Sequence, residues 1–137
     1  MAHIRTARTI TLDGARAMAE AGEAEARRRG WTVAIAVVDP SGGLVLFHSL
    51  DGTQPGSQEI AVAKARTAAR LKRPTKALED AIAGGRHALL GVSGILPLEG
   101  GLPIVRGGEI VGAVGVSGMT SAEDAVIAAA ALQALEG

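Results

Sequence analysis

Lys64 is the residue whose type and position most call for chemistry. In "QEIAVAKARTAARLK", Ile60, Lys64 and Leu71 fall on one helical stripe beside Ala61, Ala65 and Ala68, while Arg66, Arg70 and Arg73 fall on another, solvated face. The lysine therefore points toward the interior. A buried ammonium needs a carboxylate or other acceptors, or it gives up its proton. Asp39 and Asp51 are the nearest candidates in sequence, and Asp51 sits in the glycine loop "LDGT" that would rim a pocket. Two chemistries fit: a structural ion pair, or a lysine that serves as a ligand-binding cation or a base.

The second candidate is "GAVGVSG", with glycine at Gly112, Gly115 and Gly118. It is not a nucleotide loop. A dinucleotide fingerprint needs G-x-G-x-x-G at a strand-to-helix turn, and a P-loop ends in G-K-[ST]; here the spacing is G-x-x-G-x-x-G and Met119 and Thr120 follow. Glycine inside a strand marks close approach of another backbone or a ligand. Strict alternation puts Gly112 with Ile110, Val114 and Val116, and Gly115 with Val111, Ala113 and Ser117. Ser121 with Asp124 has the spacing of a helix capping box.

The histidines carry less. His48 shares a strand face with Leu44, Leu46 and Leu50, which favours a satisfied structural histidine over a ligand. His87 lies near a helix end, where it would compensate the dipole. No H-x-x-x-H or H-x-E spacing exists, so no metal site is expected. Met119 could ligate haem iron, though a turn methionine more often fills a gap.

Composition narrows the classes. The chain has 137 residues and zero formal net charge, so no global field recruits nucleic acid or an anionic membrane. It has no cysteine, one tryptophan, one phenylalanine and no tyrosine, which removes disulfides, thiolate metal sites and aromatic base stacking. No apolar run has the length of a signal peptide or the roughly 20 residues of a membrane helix. A cytoplasmic location is compatible. The triple arginine Arg27–Arg29 reads as a solvated helix end before the C-terminal Gly30.

These residues need a frame. "TLDGARAMAEAGEAEARRRG" has helical spacing, with Leu12, Ala15, Met18, Ala19 and Gly22 on the inner face. "TVAIAVVD" is apolar on both faces, a central strand; "LVLFHSL" is its hairpin partner across the turn "PSGG". Ser57 would cap the Lys64 helix, Pro74 ends it, and Thr75 would cap "KALEDAIA". A long glycine-spaced connection with some helix at Ala88–Leu90 leads to "LPIVR" and "EIVGAVGVS", joined by Gly107-Gly108, a two-residue hairpin turn. "AEDAVIAAAALQALE" is the last helix. The order α-β-β-α-α-β-β-α, with paired hairpins, predicts an α+β fold in one domain over 1–137.

The motifs "AIAVVDPSGGLVLFHSLDGT", "IAVAKARTAA" and "GGLPIVRGGEIVGAVGVSGMTSAED", in this order, resemble the GlcG/HbpS family, whose domain also forms the C-terminal part of PduO-type proteins. The similarity runs from Leu12 to Leu135. It implies a profilin-like antiparallel sheet with helices on both faces, assembling as dimers or higher homo-oligomers. It implies a small-molecule ligand, haem or a related tetrapyrrole; the alternative is a cofactor-independent hydrolase, isomerase or deaminase acting on a small carboxylated metabolite in a catabolic or biosynthetic pathway. No nucleic-acid or membrane partner is implied. The family motif positions are Asp39, Asp51, Gly52, Lys64, Gly100, Gly101, Pro103, Gly115, Ser117, Gly118 and Asp124, with His48, Thr53 and Met119 as candidate iron ligands beside them. In the enzyme reading, Lys64 holds an anion or acts as acid, and Asp51 or Asp39 is the base. One departure stands out: Ser49-Leu50 replaces the usual R-M before D-G, which removes a cation from the expected pocket mouth.

Overall fold

β1 (Ala34–Val38) is apolar and buried at every position, which makes it the axis of the molecule. The computed structural model describes residues 2–136; Met1 and Gly137, the ends of the expected domain, lie outside them. Around β1 are α1 (Leu12–Arg29), β2 (Leu44–Ser49), α2 (Gly56–Leu71), α3 (Thr75–Ala83), a 3-10 turn at His87–Gly91, β3 (Gly101–Arg106), β4 (Glu109–Ser117) and α4 (Ser121–Gln133). The sheet order is β2-β1-β4-β3, with every pair antiparallel. Class and element order are those expected from the sequence. Gly107 and Gly108 turn β3 into β4 with φ of 56° and 77°. Positive φ at both central residues is what a type I′ hairpin turn requires.

The sheet has two unlike faces. Val33, Ile35, Val37, Ile104, Val114 and Val116 pack under α1 and α4, against Met18 and Ile127. Ala34, Ala36, Val38 and Ala113 pack under α2, against Ala61, Ala65, Ala68 and Ala69. Branched side chains fill one layer and methyl groups the other.

Four local expectations change. Strict alternation in β4 fails because a bulge leaves Val111 between the pairs Ile104↔Gly112 and Val105↔Ile110. The extra residue shifts parity, and Val111 joins Val114 and Val116 in the α1/α4 core. A matching irregularity between Val37 and Val38 turns Leu44 away from the face of Leu46 and His48. Leu12 is exposed at the first turn of α1. The expected caps are also displaced. The chain is already helical at Pro55, so Ser57 lies inside α2, buried, accepting a hydrogen bond from Gln54 Nε2. Thr75 is the first residue of α3, and its hydroxyl accepts from the Gly101 amide. The capping box of α4 is Thr120 with Glu123, one residue earlier than Ser121 with Asp124. Both frames satisfy the motif; the frame chosen releases Asp124 to face inward.

Candidate ligand site

α2 lies against the sheet with almost nothing between them. A Cβ on Gly115 would meet the Ala61 carbonyl oxygen and the Ala65 backbone nitrogen, and one on Gly101 would meet the Lys64 carbonyl. These are backbone atoms with no room to yield, so the glycines set the spacing. Lys64 is thereby pressed onto the β3–β4 end of the sheet. Its Nζ donates to the Val116 carbonyl at 2.9 Å and to Asp124 Oδ2 at 3.1 Å. The ammonium passes Gly100, at φ +130°, where a Cβ would stand 2.7 Å from Nζ.

The partner of Lys64 is thus Asp124, not Asp39 or Asp51. Asp124 Oδ1 also accepts from the Met119 amide at 2.9 Å. The two side chains are 1% and 2% exposed. Burial pushes the Asp124 carboxyl above the ordinary aspartate range, against the opposing pull of the Met119 and Gly118 amides and the Lys64 ammonium. The pair joins the α2 layer to the α4 layer. It is sealed from solvent.

The other sequence candidates divide. Gly100, Gly101, Gly115 and Ser117 surround Lys64 or the sheet end it reaches. Gly118 and Met119 form the turn into α4, with Gly118 pressed on Thr32 and Val33. Asp51, Gly52 and Thr53 form the tight turn between β2 and α2, closed by the Thr53 amide on the Leu50 carbonyl. Gly52 has φ +87° and packs near Thr32, so this turn borders the same end of the sheet. Thr53 Oγ1 is buried with no hydrogen-bond partner. Pro103 lies in edge strand β3, opposite Ala113. Asp39 stands at the far end of β1, where its carboxylate accepts from Ser41 and Gly43. Those bonds, led by the Ser41 hydroxyl, hold it below the usual carboxylate range. His48 is on the α1 side, its Nδ1 3.1 Å from Glu23 Oε1. Glu23 is in turn held low, chiefly by the Arg27 guanidinium. Among the described residues, no group of three or more His, Cys, Asp or Glu could hold a metal ion, and no helix is long and apolar enough to cross a membrane.

A separate concavity opens where α2 stops short of β2. Leu44 and Phe47 on the strand, and Val62 and Ala63 on the helix, make an apolar groove of about 570 Å³, rimmed by Gln58, Glu59, Arg66, Arg70 and Gly94.

A family profile described as "Haem degrading protein HbpS-like" matches residues 10–133. The chain belongs to the HbpS-like family. It is 41% identical over 114 residues to Protein GlcG of Escherichia coli K12, covering 83% of this chain and 85% of that one. The Klebsiella pneumoniae protein ORFY superposes with a TM-score of 0.95 at 33% identity, over 100% of this chain and 97% of its own. A Streptomyces reticuli HbpS double mutant superposes with a TM-score of 0.91 at 31% identity, over 98% and 92%.

Within this HbpS-like chain the sequence missed three features. Asp124 was visible as a helix cap and as a family motif position but was not paired with Lys64, although an inward lysine with no obvious partner was a reason to look further for a carboxylate. Glu23 lies 25 residues from His48, and nothing local links them. Arg66 and Arg70, read as solvated, donate through Nε to the Gly42 and Ser41 carbonyls and so tie the β1–β2 turn to α2.

Proposed function

We propose that this HbpS-like chain is a small-ligand-binding protein that takes haem or a related tetrapyrrole, acting in the cytoplasm as one domain over 1–137 and assembling with copies of itself. The observation that carries the reading is the family match over residues 10–133, whose description names a haem degrading protein.

The place for such a ligand is the end of the sheet that the Asp51–Thr53 turn and the Gly118–Met119 turn both border, beside Thr32. An oxygen buried without a partner is costly unless something occupies it, and Thr53 Oγ1 is such an oxygen. It is the candidate iron ligand, ahead of His48, which is engaged with Glu23, and of Met119, which packs against the α1/α4 core. Bound haem would supply the iron that Thr53 Oγ1 would ligate. The alternative, a cofactor-independent enzyme using Lys64, is the weaker reading, because the lysine and its aspartate are enclosed and satisfied.

The test is a haemin titration of the purified protein followed in the Soret region, at equilibrium and over time. A shifted band saturating at a stoichiometric endpoint is expected, altered by Thr53→Val more than by His48→Ala or Met119→Ala. Slow loss of that band would add turnover of the bound ligand. A weak, unsaturable signal like that of haemin with an unrelated protein would overturn the reading.

A further inference from the structure

The groove between β2 and α2 carries a charge arrangement that its structural role does not use up. Arg66 and Arg70 are one helical turn apart, a like-charged pair whose mutual repulsion destabilises a helix. Each is held by a single bond: Arg66 Nε donates to the Gly42 carbonyl at 2.9 Å and Arg70 Nε to the Ser41 carbonyl at 2.8 Å. Gly42, at φ +93°, lets this approach happen, since a Cβ there would lie 2.6 Å from Arg70 Nε. Among the described residues neither guanidinium has a carboxylate partner, and their terminal nitrogens make no hydrogen bond. Two planar, pre-positioned donor groups with free terminal nitrogens are suited to bidentate capture of a carboxylate.

The floor they border is apolar, with Gln58 and Glu59 also on the rim. Leu44 is 49% exposed, a large aliphatic side chain left in water. Phe47, the chain's one phenylalanine, and Val62 continue the same floor. The volume, about 570 Å³, falls in the range of small-molecule sites.

We propose that this groove binds an apolar carboxylic acid, its body on Leu44, Phe47 and Val62 and its carboxylate on Arg66 and Arg70. The site does not rest on the haem reading: Thr53 is not among its walls, and its ligand needs no iron.

The experiment compares two fluorescent ligands that differ only in charge, dansyl-undecanoic acid and its methyl ester, on the full chain. Saturable binding of the acid is expected, tighter than that of the ester. In Arg66→Gln/Arg70→Gln the affinity for the acid falls about tenfold or more, the loss expected for charge-assisted hydrogen bonds, while the ester changes by less than about twofold. Phe47→Ala weakens both. Thermal unfolding of each variant checks that the fold is kept, and Arg66→Lys/Arg70→Lys, which retains the charge, recovers part of the affinity. The proposal is overturned if the wild type does not bind the acid, or if acid and ester weaken equally in the double variant. It is also overturned if Val62→Glu converts a larger species to monomer and saturating acid leaves the wild-type larger species intact, because the groove would then be an interface between copies.

Discussion

The two faces of the sheet solve the same packing problem in opposite ways. Under α1 and α4, Ile35, Val37, Ile104, Val114, Val116, Met18 and Ile127 interlock as branched side chains. Under α2 the layer is alanine on alanine, with Gly115 and Gly101 touching helix backbone. The first face supplies burial energy, at roughly 25 cal/mol per Å² of apolar surface. The second buries less apolar surface per residue and supplies proximity. Proximity lets a lysine of α2 reach past the sheet to an aspartate of α4. The bulky face tolerates small changes because several side chains share the adjustment; the close face has only backbone to move.

Breaking the lysine contact is the most damaging test of this contrast. Lys64→Met leaves Asp124 buried without its cation and should cost about 3–5 kcal/mol in chemical denaturation. Lys64→Met/Asp124→Leu should recover part of that, though the Met119 amide loses its acceptor. The deficit of the single variant also depends on pH. Burial already raises the Asp124 carboxyl, and removing the lysine raises it further. A raised folded-state value means that stability falls as pH climbs from the ordinary aspartate range through it. The deficit should therefore shrink in acid, and an equal deficit at every pH would show that Asp124 does not remain a buried charge.

The next test sets one methyl group on each face against the other. Gly115→Ala adds a methyl where the Ala61 carbonyl and the Ala65 backbone leave no space, and should cost about 1–3 kcal/mol or more. Ile35→Val removes a methyl from the bulky face and should cost about 0.5–1.5 kcal/mol. Equal costs, or a stabilised Gly115→Ala, would remove the distinction between the faces. The smallest effect belongs to the β1–β2 turn. The Asp39 carboxylate is held low by Ser41 and Gly43, so its contribution is present above the ordinary aspartate value and fades as pH falls through the depressed one. Asp39→Asn should flatten that part of the acid limb in a stability–pH profile: a small loss at neutral pH that disappears in acid.

Much of the frame was legible in the residues. The hairpin at Gly107-Gly108, the two apolar faces of β1, the helix stops at Gly30 and Pro74, and the inward aim of Lys64 all follow from local stereochemistry and period. The errors share a cause. Val111, Leu44, Thr75 and the Thr120 cap each depend on a one-residue shift, and Ser57 on a two-residue one; a slip of one position changes face or frame while leaving the local pattern intact. Asp124 illustrates the consequence for the site. Its sequence neighbourhood made it a surface cap, and only the choice of the neighbouring frame turned it inward.

The sequence by itself determined an antiparallel α+β sheet, a lysine that must be satisfied inside, and glycines that demand close approach. Those follow from φ/ψ limits, periodicity and the cost of burying charge, all properties of a residue and its near neighbours. Which carboxylate meets the lysine was decided by tertiary structure alone, since 60 residues separate Lys64 from Asp124. The free ends of Arg66 and Arg70 beside an apolar groove were decided the same way. α2 covers β1, β4 and β3 and stops before β2, and the exposed strip that remains depends on where a helix comes to rest on a sheet.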